Sequence, residues 1–201
     1  MRYMLAMCAA VVLALGGCDA TPKATPTGDP EVDNRQAVAF ARLAEEAQRD
    51  GRDEDAVRYA RQALVLREDL GGAWNNLGVS LMRLQQWIAA VDAFRRAAEL
   101  LPGDPRPYEN LGYLYRERGF GEDAIRNFNS SLERDPYWLP SIRGAVVSAK
   151  ALLRSDEDGL ERVKRGLLVD DDPMWRKIYE GERTRIKQDL DERLRRLKSG
   201  L

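Results

Sequence analysis

The residue types that could do chemistry in this chain are few and lie far apart. Its 201 residues contain no histidine, which removes the commonest general base and the commonest metal ligand. The two cysteines, Cys8 and Cys18, both lie within the first eighteen residues. Paired carboxylates such as Glu45-Glu46 fall on predicted helix faces, where solvated acids are ordinary. The sequence therefore predicts a protein that is not an enzyme and that takes no metal and no cofactor.

Cys18 is the one nucleophilic side chain with a recognisable setting. A single positive charge, Arg2, precedes an apolar run over residues 4–15, and two glycines separate that run from the cysteine. A charged start, an apolar stretch and a small-residue end are the pattern of a secretory signal peptide. The run falls short of the roughly 20 apolar residues that a transmembrane helix needs. The pattern predicts an export leader.

The four residues at 15–18, Leu-Gly-Gly-Cys, resemble the lipobox of bacterial lipoproteins. The resemblance implies that residues 1–17 are removed as a signal peptide and that the Cys18 thiol carries a diacylglycerol anchor of palmitate-like chains. Two or three acyl chains hold a protein on a membrane because each buried methylene contributes about 0.8 kcal/mol. The expected location is the periplasmic face of a bacterial envelope membrane, inner or outer. The alternative is an ordinary secreted protein with an incidental cysteine.

Residues 18–34 are predicted to be a disordered tether. After the cysteine they contain three prolines, three threonines and one glycine, and almost no large apolar side chain. Such a segment cannot bury enough surface to offset the loss of chain entropy on folding. We expect it to lift the following domain off the lipid headgroups.

The charge balance narrows the class of partner. The chain has 32 basic and 33 acidic residues, a formal net charge of −1. Domains that bind nucleic acid usually carry a strong basic excess. An apolar content of 44% and a charged content of 32% are ordinary for a soluble, helix-rich protein. We therefore expect no nucleic-acid partner and one modest domain after the leader and tether.

A pattern of small, aromatic and aliphatic residues returns after 34 residues. The aligned pairs are Trp74/Tyr108, Leu77/Leu111, Gly78/Gly112, Leu81/Tyr115, Ala90/Ala124, Phe94/Phe128, Ala97/Ser131 and Pro102/Pro136. The early positions are spaced i, i+3, i+4 and i+7, which is one face of an α-helix, and the later ones form the face of a second helix. A period of about 34 residues indicates stacked helix-turn-helix units, because one hairpin cannot bury its apolar face alone.

These positions resemble the signature of the tetratricopeptide repeat. The resemblance implies an all-α solenoid, with small residues such as Gly78 and Ala90 where two helices approach and Phe94 filling the space beside them. An unrelated helical bundle is the alternative, although a bundle needs no fixed repeat length. The predicted domain spans residues 35–172, with copies at about 37–70, 71–104 and 105–138 and a degenerate helix pair at 139–172.

The two outer units depart from the repeat pattern. The first copy keeps Phe40, Leu43, Ala44 and Ala47 but lacks the closing proline. The last pair has Asp158, Arg162 and Arg165 at the positions of Ala, Phe and Ala. Ser155 is the predicted cap of its second helix, because Asp158 follows three residues later.

Residues 173–201 are predicted to form a C-terminal capping helix. Three aspartates precede Pro173, which favours a helix start. One apolar stripe follows, made of Trp175, Ile178, Tyr179, Ile186, Leu190, Leu194 and Leu197. The end of a solenoid must be covered, which favours a cap. The alternative is a helix that pairs with a partner or a second copy, so the oligomeric state stays open.

The resemblance also implies a concave groove lined by the first helix of each copy. The expected groove residues are Asn75, Asn76, Val79, Met82, Arg106, Glu109, Tyr113, Arg116, Arg143 and Lys150. This mixture of apolar and mildly basic side chains suits an extended peptide or a helix with some acidic character. Most of the residues with which some family members clamp a carboxyl terminus are missing, since Ala41 and Glu45 stand at two of those positions. Carboxylate capture is therefore not predicted.

The predicted function is a non-enzymatic, membrane-anchored scaffold that binds protein partners of the bacterial envelope through this groove. One alternative is an accessory subunit of an envelope machine, such as a type IV pilus or a cell-wall enzyme complex. A cryptic cell-wall hydrolase is disfavoured by the missing histidine. A self-assembling structural lipoprotein joined through the last helix is the remaining alternative.

Overall fold

A computed structural model describes residues 23–199, so the predicted leader 1–17 and Cys18 lie outside the described residues. The described span contains no strand, and its helices are α1 (Pro30–Arg49), α2 (Asp53–Leu66), α3 (Gly71–Arg83), α4 (Trp87–Leu100), α5 (Arg106–Glu117), α6 (Gly121–Arg134), α7 (Leu139–Ala151), α8 (Glu157–Val169) and α9 (Pro173–Ser199). The predicted all-α fold class is confirmed. No helix of the described span combines the length and the apolar character that crossing a bilayer requires.

The helices stack in series as hairpins. Each helix packs on its neighbours in sequence, and loops of three to five residues join them. The odd-numbered helices also contact one another in order from α1 to α9. Within the described residues no even-numbered helix contacts another even-numbered helix. The odd-numbered helices are thus packed closer together, which makes theirs the concave side of the solenoid.

An aromatic ring seated on glycine holds each middle hairpin together. Phe94 and Phe128 are completely buried. A Cβ atom at Gly78 would lie 2.5 Å from the ring of Phe94, and one at Gly112 would lie 2.7 Å from the ring of Phe128. A Cβ atom at Gly144 of α7 would also lie 2.4 Å from the Phe128 ring. The small residues predicted at the close approach are therefore required sterically.

The turn inside each hairpin places a residue in the left-handed backbone region every 34 residues. The φ angles are +74° at Gly51, +59° at Gln85, +81° at Gly119 and +52° at Leu153. Only the first and third of these residues are glycine, which adopts this conformation without a Cβ penalty. Leu153 is also 76% exposed, so burial of its side chain stabilises the fold too little to offset the strain of its left-handed backbone.

The first copy ends the stack at its amino-terminal side. The sequence pattern placed Leu43 on the packing face, and Ala44 beside it is buried, yet Leu43 itself is 41% exposed. Leu77, the equivalent residue one copy later, is buried in a cluster that includes Leu64 of the preceding helix α2. No helix precedes α1 among the described residues, so Leu43 has no neighbour of that kind.

Helix α1 begins inside the segment predicted to be a tether. Residues 30–34 are helical, because Asp29 caps the helix and Pro30 occupies its first position. The Asp29 carboxylate accepts from the backbone N–H of Glu31 at 2.9 Å. The Thr27 hydroxyl also donates to Asp33 at 2.7 Å. The predicted boundary at residue 34 is corrected to residue 29 on this evidence.

The degenerate pair at 139–172 forms the hairpin of α7 and α8, but its capping residue differs from the prediction. Asp156, not Ser155, caps α8 by accepting from the backbone N–H of Gly159 at 2.6 Å. Ser155 is buried and donates its hydroxyl to Asp189 of α9. The predicted serine cap is wrong because the neighbouring carboxylate reaches the free N–H group of the first helical turn.

The aromatic ring of the last pair comes from α9. Arg162 occupies the position of Phe94 and Phe128, and Tyr179 supplies the missing ring. A Cβ atom at Gly166 of α8 would lie 2.6 Å from that tyrosine ring, which is completely buried. The last pair therefore repeats the ring-on-glycine contact with a residue from outside its own hairpin.

Arg162 is buried with only part of its hydrogen-bonding capacity used. It is 4% exposed, and burial lowers its pKa. One guanidinium nitrogen donates to the Asn129 side chain at 3.1 Å, and another lies 3.6 Å from Asp156. Its Nε has no hydrogen-bond partner in the described part of the chain. A cationic side chain at this position costs stability unless its partners are complete.

Candidate partner-binding groove

The predicted groove residues lie on three consecutive odd-numbered helices of the concave side. They are Asn75, Asn76, Val79 and Met82 on α3, Arg106, Glu109, Tyr113 and Arg116 on α5, and Arg143 and Lys150 on α7. The structure gives these ten side chains three kinds of surroundings. Some are tied into contacts between copies, two are bound by residues that follow α8, and a few remain open.

The two asparagines of α3 form contacts between copies. Asn75 is 8% exposed, and its side-chain oxygen accepts from the Asn110 amide at 2.9 Å. The Asn76 amide donates to Glu45 of α1 at 3.2 Å, and its backbone carbonyl accepts from Gln48 at 2.9 Å. These bonds join α1, α3 and α5 along the concave side. Both asparagines thus have a packing role that the sequence pattern did not reveal.

Glu109 is held by Trp138, the residue that precedes α7. The indole N–H of Trp138 donates to its carboxylate at 2.6 Å. Burial raises the pKa of Glu109 above its ordinary value, although the tryptophan bond acts in the opposite direction. Arg106, one turn earlier, is 58% exposed in its side chain and pairs with Asp104 at 2.6 Å. This pair leaves little free charge at the start of α5.

Tyr113 and Arg116 form the open centre of the groove. The Tyr113 ring meets Phe128 edge to face at 5.1 Å, and its hydroxyl donates to the Pro140 carbonyl at 3.1 Å. The Arg116 guanidinium lies 4.9 Å from the centre of the Tyr113 ring. Arg116 is exposed and forms no ion pair with any described residue. Burial raises the pKa of the Tyr113 hydroxyl, which therefore stays protonated at neutral pH.

Val79 and Met82 add an apolar surface beside this centre. Both are partly buried against the core cluster of the first three copies. Tyr115 of α5 packs on the same cluster. Methionine is unbranched and polarisable, so it adapts to partners of different shape. The open part of the groove thus combines an adaptable apolar patch with one unpaired cation.

The two cations of α7 are already bound within the chain. Arg143 donates to the Asp170 carboxylate at 2.7 and 2.8 Å, and its guanidinium lies 4.9 Å from the ring centre of Trp175. Asp170 is 1% exposed and also accepts from the Tyr179 hydroxyl at 2.9 Å. These bonds hold the pKa of Asp170 below its usual range and that of Arg143 above its own.

Lys150 is occupied in the same way. Its ammonium lies 3.5 Å from Glu182 of α9, whose side chain is 7% exposed. Arg185 also donates to Glu182, at 2.8 Å. The sequence pattern placed Arg143 and Lys150 in the groove without showing that acids from the segment after α8 would meet them. The pairs of Arg143 with Asp170 and of Lys150 with Glu182 can be recognised only once the helices are packed together.

The open part of the groove has the features of a binding surface. Among residues 23–199 no group of three or more His, Cys, Asp and Glu side chains could hold a metal ion. Asp156 caps α8, and Asp170 pairs with Arg143. A concave face with a few apolar anchors and a cation suits a protein or peptide surface.

Comparison with known proteins supports the fold from sequence as well. Residues 71–104 match the family model described as "Tetratricopeptide repeat". The human "Tetratricopeptide repeat protein 28" is 28% identical over 141 residues, which are 70% of this chain and 6% of that protein. The "Photosystem I assembly protein Ycf3" of Prochlorococcus marinus is 27% identical over 134 residues, 65% of this chain and 72% of the relative. The matched regions thus range from a small part to most of each relative.

A solved structure shows the same architecture. The first tetratricopeptide domain of Spaghetti (RPAP3), bound to an HSP90 peptide, superposes with a TM-score of 0.57. The likeness covers 60% of this chain and 95% of that one at 15% sequence identity, so it concerns the fold alone. The stacked hairpins, the 34-residue period and the matched copy agree. The chain is an all-α solenoid of tetratricopeptide-type helix-turn-helix hairpins, of which residues 71–104 match the tetratricopeptide repeat model.

Proposed function

We propose that this protein is a non-enzymatic scaffold, anchored to a membrane of the bacterial envelope through Cys18, whose concave groove binds a peptide or helix of a protein partner. The observation that carries the binding part is the open centre of the groove. Arg116 lies over Tyr113 without an ion-pair partner among the described residues, beside the partly buried Val79 and Met82.

The chemistry of the partner follows from how the chain treats its own groove cations. Asp170 and Glu182 bind Arg143 and Lys150, and the aromatic Trp175 lies against Arg143. A partner for Arg116 needs the same features, which are an acidic group and a neighbouring apolar or aromatic side chain. The names of two similar proteins fit a protein or peptide partner. Ycf3 is named an assembly protein, and the Spaghetti (RPAP3) domain was solved with a bound peptide.

Capture of a partner from envelope extracts tests the groove. We expect Arg116→Glu to reduce capture at least about tenfold, because the substitution places a like charge against an acidic ligand. Tyr113→Ala should reduce capture further, as aromatic residues supply much of the energy of such interfaces. Arg126→Glu is the matched control, because Arg126 is 68% exposed on the outer helix α6. Undiminished capture by Arg116→Glu would place the site elsewhere.

The anchor is tested separately at Cys18. We expect cells fed a labelled fatty acid to incorporate the label into the natural chain but not into Cys18→Ser, because only the thiol of Cys18 has the lipobox setting. The natural chain should fractionate with membranes and the variant should not. Recovery of unlabelled natural protein in the medium would contradict the anchor and leave the groove untouched.

A further inference from the structure

The last part of α9 extends beyond the body that the helix caps. α9 has 27 residues, whereas among the other concave helices α1 has 20 and α3, α5 and α7 have 12 or 13. Its buried side chains end at Ile186, and every residue from 191 to 199 is exposed. Arg193 makes the last contact with the body, by donating to the Ser155 carbonyl at 3.0 Å. Residues 194–199 thus project by about 9 Å, at 1.5 Å per residue.

The projecting end is strongly basic and carries two uncovered leucines. Residues 193–198 hold four cations, Arg193, Arg195, Arg196 and Lys198, and no acid. The whole chain has a net charge of −1, so the remainder carries −5 (−1 − 4 = −5). Leu194 is 54% exposed and Leu197 is 78% exposed. They are three residues apart, which places both leucines on one side of the helix.

The cap function does not account for these leucines. Tyr179 and Ile186 are buried, and Leu190 still packs on the core cluster that contains them. Leu194 and Leu197 continue the same stripe past the end of that cluster, where no described residue covers them. A helix end with exposed apolar residues on one side is expected to bury that side against another surface.

We propose that residues 193–199 of α9 dock on an anionic lipid surface. In this orientation Leu194 and Leu197 enter the boundary between headgroups and acyl chains. The arginine and lysine stems lie along the apolar side while their charged ends reach the lipid phosphates. Charge complementarity supports this occupant, because residues 193–199 carry four cations and no acid, of which Arg196 lies 3.7 Å from Glu192.

A second copy of the chain fits this surface less well. Residues 193–198 of two copies paired in parallel would bring four cations against four, which is repulsive. Seven residues of one helix also present much less than the roughly 800 Å² per partner that a standard protein interface buries. A lipid surface sets no minimum area. This docking needs no acyl chain, so it does not depend on Cys18.

Co-sedimentation with lipid vesicles tests the proposal. The test protein begins at Asp19, which keeps every described residue and removes the proposed anchor. We expect it to bind vesicles of phosphatidylglycerol and phosphatidylcholine, and to bind pure phosphatidylcholine vesicles at least about 25-fold more weakly. One basic residue near an anionic surface changes partition about fivefold, so R195Q with R196Q should reduce binding about 25-fold.

The leucines have their own variant and control. Leu194→Ser with Leu197→Ser should reduce vesicle binding at least about tenfold, because both side chains leave the apolar boundary. Leu168→Ser is the matched control, since Leu168 is 73% exposed on α8, and it should bind as the natural chain does. A thermal melt by circular dichroism checks that each variant is folded.

Three results would overturn the proposal. Equal binding to both kinds of vesicle, or full binding by the double leucine variant, would show that this end does not recognise anionic lipid. A dimer in sedimentation that Leu194→Ser with Leu197→Ser dissociates would make a second copy the occupant. None of these results bears on the groove at Tyr113 and Arg116, which is tested by partner capture.

Discussion

The middle copies, residues 71–104 and 105–138, and the C-terminal region, residues 139–199, meet the same packing requirement with different residues. In each middle copy a phenylalanine of the second helix sits on a glycine of the first. In the C-terminal region the second helix supplies the glycine, Gly166, and α9 supplies the ring of Tyr179. Both middle copies and the C-terminal region therefore place a ring against a glycine, whereas the first copy has the buried Ala44 and Ala60 at the corresponding positions. The ring can come from a different helix.

The two regions also differ in how much of the groove is free. Arg116 in the middle copies has no ion-pair partner among the described residues, whereas Arg143 and Lys150 of α7 are bound by Asp170 and Glu182. The same pairs that stabilise the C-terminal region thus remove it from partner binding. The proposed partner site therefore lies in the middle copies, and α9 stabilises the end of the stack.

Removing α9 should have the largest effect and should be confined to one region. A chain cut after Asp172 loses Tyr179 and Ile186 from the core and leaves Gly166 without its ring. Losses of this kind cost several kcal/mol. We expect the amides of α7 and α8 to lose most of their protection in hydrogen exchange, while α3 to α6 keep theirs. Retained protection in α8 would refute its dependence on α9.

Phe128→Ala should come next. Its ring is completely buried between Gly112 and Gly144 and also meets Tyr113, so its removal leaves a cavity at the junction of two copies. We expect the free energy of unfolding in urea to fall by about 3–5 kcal/mol. Phe94→Ala, whose ring touches the glycine of its own copy, is the matched comparison and should cost less. Equal losses would show that the contact with Gly144 adds nothing.

Asp170→Asn should cost about 3 kcal/mol at neutral pH, because it leaves Arg143 beside a neutral amide. The pKa of Asp170 is lowered, chiefly by the hydrogen bond from Arg143. Its contribution is therefore complete above the unfolded-state pKa of about 3.9 and is lost as the pH falls through the lower folded value.

Urea titrations from pH 7 to pH 2 measure this dependence. The difference in unfolding free energy between Asp170→Asn and the natural chain should be constant down to about pH 5 and should shrink in stronger acid. The difference caused by Phe128→Ala in the middle region should not change with pH, because that contact holds no charge. A pH-independent Asp170→Asn difference would contradict the ion pair.

Arg162→Met should stabilise the C-terminal region by about 1 kcal/mol. The substitution removes a buried cation whose Nε has no partner in the described span, and it keeps an apolar stem of similar reach. The same replacement in the middle region, Phe128→Met, should destabilise the fold, because it removes the ring from its glycines. Thermal melts of both variants give the two signs. A large loss of thermal stability with Arg162→Met would show that the charged group of Arg162 stabilises the fold.

Leu153→Gly should have the smallest effect, a gain of about 0.5–1 kcal/mol. Leu153 has a φ of +52° and is 76% exposed, so glycine relieves strain and sacrifices little burial. The equivalent turn of the middle region already has glycine at 119, and Gly119→Leu should lose a similar amount. Urea titrations of the two variants should therefore differ in sign. The comparison fails if Leu153→Gly destabilises the fold.

The sequence predicted the middle copies well because their packing is periodic. Gly78 and Phe94, and their partners 34 residues later, stand at fixed spacings that local helix geometry turns into contacts. The C-terminal region was only partly predictable. The Tyr179 stripe was visible, but its contact with Gly166 links helices whose spacing follows no repeat.

The groove shows the same limit. The periodic positions on α3, α5 and α7 are on the concave side as predicted, and whether they bind a partner stays a prediction. The pattern did not reveal which of these side chains already have a partner within the chain. Asn75 bonds to Asn110, and Arg143 bonds to Asp170, and both contacts join residues that are far apart in the sequence. A cap such as Asp156 was missed by one residue for a local reason, since adjacent Ser155 and Asp156 both suit a helix start.

Crosslinking in the living envelope tests the central claim most directly. A photoreactive amino acid replaces Met82 in the open groove of the middle copies, and in a second strain it replaces Lys150 in the occupied part on α7. We expect a discrete adduct with a protein partner from position 82 and none from position 150. An adduct from position 150 with none from position 82 would contradict a groove whose binding centre lies in the middle copies.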